Sequence, residues 1–187
     1  MDLLIFFISY SLLNQNNIHN YSEIEIKDII HDEIHNFQIL NNTKIFCDFL
    51  GISFTDLHNN HINYPIIVQK YSKNKSLKDF LNQTERNPRL NDDTKKMILI
   101  YGLAKKMKIL VENKLCHCNL KPSKILLDEN YYPFLSEVGS QMIRTNDNIF
   151  DEAYLYAAPE TLLNNRYNVI NEKSNVFTFG MITYHIL

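Results

Sequence analysis

Tryptophan is absent from this 187-residue chain, glycine occurs four times and cysteine three times. Cys47, Cys116 and Cys118 are too few, and odd in number, for a disulfide framework, and they point to a reducing compartment. The run Cys116-His117-Cys118 has no second Cys/His pair at ligand spacing, so no structural zinc centre is expected. The glycines stand at 51, 102, 139 and 180, which leaves no Gly-x-Gly-x-x-Gly loop anywhere. Charge of one sign is also missing: the net charge is −2 with no block of like charges, which argues against nucleic-acid binding and against a polybasic membrane patch. No apolar run reaches the about 20 residues needed to cross a bilayer as a helix. The longest, 3–13, follows Asp2 and precedes an Asn/Gln run rather than a cleavage signature, so it reads as part of the fold or a mis-assigned start, with a secretory signal as the alternative. A cytoplasmic protein with no membrane or nucleic-acid partner is expected.

What is present is ordinary for a globular domain: 45% hydrophobic and 21% charged residues, with length enough for one domain or two small lobes. After a polar stretch over 14–22, Ile26, Ile29, Ile30, Ile34, Phe37 and Leu40 recur at helical spacing and stop at Asn41-Asn42. Lys44 to Leu50 and Pro65 to Tyr71 read as two strands of an antiparallel hairpin with a long polar connection. Ser76 is suited to cap a helix beginning at Leu77. Asn91-Asp92-Asp93 opens a longer helix whose apolar stripe is expected through Met97, Ile100, Tyr101, Ala104, Met107, Leu110 and Val111. Lys124 to Leu127 and Phe134 to Ser136 read as short strands around Asp128-Glu-Asn130, followed by an irregular segment from Gly139 to Tyr154. A last helix from about Lys173 is apolar nearly all round and is expected to be buried, which implies a partner surface.

In order, these pieces resemble the protein kinase family. Gly102-Leu-Ala-Lys-Lys-Met-Lys-Ile-Leu110 looks like the helix before the catalytic loop. His117-Cys-Asn-Leu-Lys-Pro-Ser-Lys-Ile-Leu-Leu-Asp128 is similar to His-Arg-Asp-Leu-Lys-Pro-x-Asn-Ile-Leu-Leu-Asp. Ser136-Glu-Val-Gly139 stands where Asp-Phe-Gly is expected, and Ala158-Pro-Glu160 is intact. Lys173-Ser-Asn-Val-Phe-Thr-Phe-Gly180 looks like Lys-Ser-Asp-Val-Tyr-Ser-Phe-Gly, and Pro65 to Leu81 resembles the fifth strand, hinge and next helix of tyrosine-kinase-like and Ser/Thr kinases. The resemblance implies an α+β, bilobal kinase-like fold with an incomplete small lobe and a large helical lobe truncated after its central helix. Its divisions are an apolar segment and linker over 1–20, a remnant small lobe over 21–71 and a partial large lobe over 72–187.

Carried over residue by residue, the resemblance makes Asn119 the occupant of the catalytic Asp position, with His117 and Lys121 matching the family. An amide is a poor substitute for the carboxylate, since it cannot accept the substrate's proton. Lys124 occupies the second-metal Asn position, where it offers only donors and a positive charge. Glu137 replaces the Asp of Asp-Phe-Gly and is the one candidate Mg²⁺ ligand, beside the matching Gly139; Val138 replaces the Phe. Gln69 is the gatekeeper, with Lys70 and Tyr71 in the hinge. Asn36 aligns with the regulatory-helix Glu, and Glu33 lies one turn earlier. Thr145, Tyr154, Tyr156 and Glu160 belong to the activation segment, and Cys118 replaces the Arg that would receive a phosphate there. The implied function is a catalytically inactive, pseudokinase-type module that binds nucleotide or a protein partner, with ATP and Mg²⁺ as the cofactors in question. Two alternatives stay open on the residues alone: a weakly active Ser/Thr-type kinase, and a non-functional gene fragment.

Overall fold

The computed structural model describes residues 31, 34–46, 49–55, 61–86, 92–117, 119–136, 153–163 and 171–187. The chain runs from α1 (residues 34–40) through a 3₁₀ turn, Asn41–Thr43, into the hairpin β1 (Phe49–Thr55) and β2 (His61–Gln69). Then come α2 (Leu77–Arg86), α3 (Asp93–Glu112), the hairpin β3 (Ile125–Leu127) and β4 (Pro133–Leu135), the short α4 (Ala153–Tyr156) and α5 (Pro159–Leu163), and α6 (Glu172–Ile186). Among the described residues, helices and two separate antiparallel two-stranded sheets make an α+β fold.

The first strand lies later than the apolar pattern suggested. Lys44 closes the 3₁₀ turn in the left-handed region (φ 54°), which takes Lys44 to Phe46 out of any β1 ladder. Phe46 instead makes a parallel bridge to Leu135, the Leu135 N–H donates to the Ile45 carbonyl (2.9 Å), and the Phe46 ring stacks on Phe37 of α1 at 4.1 Å. The exit of α1 is thereby fastened to β4, and β1 pairs with β2 from Phe49↔Gln69 onward.

The helix ends are written in local chemistry. At α2, the Ser76 hydroxyl accepts from the Asp79 N–H (3.2 Å) while the Asp79 carboxylate accepts from the Ser76 N–H (3.1 Å) and hydroxyl (2.6 Å). That hydroxyl bond, chiefly, holds the Asp79 carboxyl below its ordinary range. The Asp92 side chain caps α3 by accepting from the Thr94 N–H at 2.8 Å. The far end of α3 closes with Leu115 N–H on the Leu110 carbonyl (2.9 Å) and Lys114 N–H on the Val111 carbonyl (3.0 Å), Lys114 being left-handed (φ 56°). This tight reversal turns the chain directly into residues 115–121. Asn171 and Ser174 form a reciprocal capping box at α6.

Two helix faces differ from the pattern read in sequence. The buried face of α3 runs through Leu99, Gly102, Leu103, Lys106, Met107 and Leu110, while Met97, Tyr101 and Val111 are exposed. The buried stripe is disguised because it carries a lysine. Lys106 is 2% exposed; its ammonium donates to the Lys44 carbonyl and lies over the Tyr132 and Phe134 rings, 4.8 and 4.5 Å from their centroids. Gly102, on the same face, lets α3 approach β4: a Cβ there would come within 2.7 Å of Pro133 Cγ. In α6 the buried residues are Ser174, Asn175, Thr178, Ile182 and Ile186, whereas Val176, Phe177 and Tyr184 are exposed. Of the inward polar residues, Asn175 bonds the His117 peptide, while Ser174 bonds the Asn171 cap and the Thr178 hydroxyl donates to the Ser174 carbonyl within the helix.

Candidate catalytic loop and nucleotide site

The reversal after α3 delivers His117, Asn119, Lys121 and Lys124 within one loop. His117 is buried at 2% exposure, and its peptide group is held by a side chain from α6. The Asn175 amide nitrogen donates to the His117 carbonyl and its oxygen accepts from the His117 N–H, each at 3.0 Å. The imidazole Nδ1 then accepts from the Asn119 N–H at 3.2 Å, so the His117 ring shapes the turn that presents Asn119. Leu120 and Pro122 are buried beneath the loop, and a 3₁₀ turn, Pro122–Lys124, closes with Lys124 N–H on the Lys121 carbonyl at 2.9 Å.

The loop is tied next to β4 and the end of β2. The Ser136 N–H donates to the Lys124 carbonyl (3.0 Å), and the Gln69 Nε2 donates to the Ser136 carbonyl (2.9 Å). Ser136, the residue before Glu137, is thus held by the Pro122–Lys124 turn on one side and by Gln69 on the other. Lys70 and Tyr71 follow Gln69 as exposed residues leading to Ser72, which is buried. Below the hinge, the Leu127 N–H donates to the Lys75 carbonyl (2.9 Å) and Asn74 Nδ2 donates to the Asp128 carbonyl (2.6 Å), so the segment after β2 is stitched to the β3–β4 hairpin. The Asp128 carboxylate accepts from the Asn130 and Tyr132 N–H groups, both at 2.8 Å, and sets that hairpin's turn.

Of the remaining candidates, Asn36 lies half-buried on α1, and Glu160 lies half-buried in α5. Tyr154 falls within α4. Tyr156, grouped in sequence with the activation-segment tyrosines, is 4% exposed; its hydroxyl is 2.7 Å from His185 Nδ1 and its ring stacks on that imidazole. It therefore ties α4 to α6, and its hydroxyl is not displayed to solvent. Glu33, Cys118, Glu137, Gly139 and Thr145 lie outside the described residues. Sequence reading did not single out Asn175, Ser136, His185 or Lys106. Only Asn175 had a signal, as the departure from Asp in its helix motif.

The loop's chemistry can be read from its donor set. Asn119 offers a neutral amide, and Lys121 and Lys124 offer only N–H donors. Among the described residues of the loop there is no carboxylate for a divalent cation, so these residues do not fit Mg²⁺ at the position of Lys124. Half-buried Cys116, one residue before His117, carries a thiol whose ionisation is pushed up by burial, chiefly, and by the Glu172 carboxylate.

A loop held from α6 through Asn175, with the end of β2 tied to the residue after β4, agrees with the protein kinase arrangement that the sequence resembles. The profile of the protein tyrosine and serine/threonine kinase family matches residues 15–187, and the chain belongs to that family. It is 35% identical over 131 residues to cysteine-rich receptor-like protein kinase 6 of Oryza sativa subsp. japonica, covering 65% of this chain and 18% of that protein. It is 31% identical over 120 residues to the inactive leucine-rich repeat receptor-like protein kinase CORYNE of Arabidopsis thaliana, covering 62% of this chain and 28% of that protein. Cysteine-rich receptor-like protein kinase 11 of Arabidopsis thaliana is 30% identical over 131 residues, 65% of this chain and 19% of that protein. The chain thus spans less than a third of the length of these relatives. Among the described residues no helix is long and apolar enough to cross a membrane.

Proposed function

We propose that this chain is a pseudokinase-type domain that binds an adenine nucleotide or a protein partner, in the cytoplasm, without transferring phosphate. The observation that carries this reading is the contrast within one loop. The scaffold is fully braced by Asn175, His117 and Ser136, while the two positions that would do the chemistry hold Asn119 and Lys124. General-base assistance is worth about 10²–10⁴-fold, and an amide supplies none. Lys124 brings an ammonium to the position of a metal ligand, so nucleotide phosphates are expected to bind there without a divalent ion. One of the relatives, CORYNE, is itself named inactive, which supports the same reading here.

The test is a radiolabelled-ATP transfer assay with a generic protein substrate and either Mg²⁺ or Mn²⁺, read beside a thermal-shift titration with ATP in EDTA. No transfer and a rise in melting temperature that persists in EDTA are expected. Transfer that disappears in Glu137→Ala would overturn the proposal in favour of a weakly active kinase. No shift with any nucleotide would leave only the protein-binding half of it.

A further inference from the structure

The buried side of α1 is made by Phe37 and Leu40, and its exit is fastened to β4 through the Phe37–Phe46 stack and the Phe46–Leu135 bridge. The other side carries two histidines. His31 and His35 are both exposed and both helical, His31 in the turn just before the start of α1. A spacing of four residues sets two side chains on one face of a helix, one turn apart. The two imidazole centres are accordingly 6.4 Å apart, with their planes 15° from parallel.

A neutral imidazole offers one nitrogen lone pair to a metal. A tetrahedral Zn²⁺ takes nitrogen ligands at about 2.0–2.1 Å, which puts two bound imidazole centres about 5 Å apart. Rotation of the exposed side chains closes the observed separation to that value. Among the described residues no third His, Cys, Asp or Glu joins the pair, so water fills the other positions on the ion. Imidazole suits Zn²⁺ and its neighbours in the first transition row, whereas Mg²⁺ and Ca²⁺ want oxygen ligands and are not served by this pair. Zinc proteases share the His-x-x-x-His spacing, but their general-base Glu directly follows the first His, where this chain has Asp32. The site is therefore one for binding, with no hydrolytic step attached to it.

We propose that His31 and His35 form a two-imidazole chelate for Zn²⁺ that staples the turn leading into α1. The second ligand is delivered intramolecularly once the first has bound, which raises affinity over a single histidine by about a hundredfold. The two imidazoles have this separation only while the turn is helical, so the bound ion stabilises the folded form. The stapled turn lies next to Phe37, through which α1 is fastened to the core.

The experiment is thermal shift and isothermal titration of the whole chain, stripped with EDTA and desalted, with ZnCl₂ and with MgCl₂. A rise in melting temperature with Zn²⁺ and none with Mg²⁺ is expected. His31→Gln and His35→Gln lie at exposed positions and should leave the metal-free melting temperature unchanged. Each is expected to weaken Zn²⁺ binding by about a hundredfold, and the double variant to be little weaker than either. That non-additivity marks a chelate rather than two separate ligands. His61→Gln, at the start of β2, should leave Zn²⁺ affinity as it is in wild type. Zn²⁺ affinity that survives in either His31→Gln or His35→Gln overturns the proposal, because the ion is then held by one histidine or by the cysteine thiols. A wild type that Zn²⁺ does not stabilise, or that Mg²⁺ stabilises equally, overturns it as well.

Discussion

Lys106 shows how a single residue can be both costly and structural. A buried ammonium must replace its hydration, and here the Lys44 carbonyl and the faces of Tyr132 and Phe134 provide part of that replacement. Lys106→Met keeps the volume but leaves the Lys44 carbonyl short of a donor, and is expected to lower unfolding free energy by about 1–2 kcal/mol. Lys106→Ala adds a cavity and is expected to cost more, about 3 kcal/mol. Urea denaturation of the three proteins measures both; a variant as stable as wild type would show that the aromatic faces do not stabilise the charge. The same residue explains why the α3 stripe was misread, because a lysine on an inward face is indistinguishable in sequence from one that marks the solvent side.

At the scale of elements, α2 gives a pH signature. Folding lowers the Asp79 pKa, so the stability contributed by its charged form is present above the unfolded value and is lost as pH falls through the folded one. Fraying of the first turn of α2 is therefore expected below about pH 4, the ordinary aspartate value. Ser76→Ala should move the Asp79 titration, followed by carboxyl NMR shifts, up toward that value; an unmoved titration would show that the Ser76 hydroxyl is not its cause. The starts of α2 and α3 and the second hairpin were legible in sequence because Ser76, Asp92 and Asp128 act on neighbours two to four residues away. The position of β1 was not, because Phe46 pairs with Leu135 and no local pattern encodes that approach. The candidate site divides the same way. The loop carrying His117, Asn119, Lys121 and Lys124 could be read from its order, while the bonds from Gln69 to Ser136 and from Asn175 to His117 span 67 and 58 positions and appear only on folding.

For the whole molecule, the outward side of α6 is an exposed apolar surface. Phe177 and Tyr184 lie two turns apart on one side of the helix, with Tyr184 80% exposed and Val176 beside them. Exposed apolar stripes of this kind associate or recruit partners, in line with the protein-binding half of the proposed function. Val176→Lys combined with Tyr184→Lys is expected to reduce self-association in sedimentation velocity while leaving the melting temperature within about 2 °C, since substitutions at exposed positions cost little. A large drop in melting temperature would mean that this side of α6 contributes to the core.

Asn175 carries a consequence of another kind. Its side chain pairs with the His117 peptide much as one backbone amide pairs with another, donor to carbonyl and carbonyl to donor. Such a joint has no protonation state and carries no net charge for ions to screen. Where the related motif has an aspartate, this chain joins α6 to its loop by a contact indifferent to acidity and to ionic strength, so that contact itself should be as firm in dilute buffer at pH 5 as in concentrated salt at pH 8.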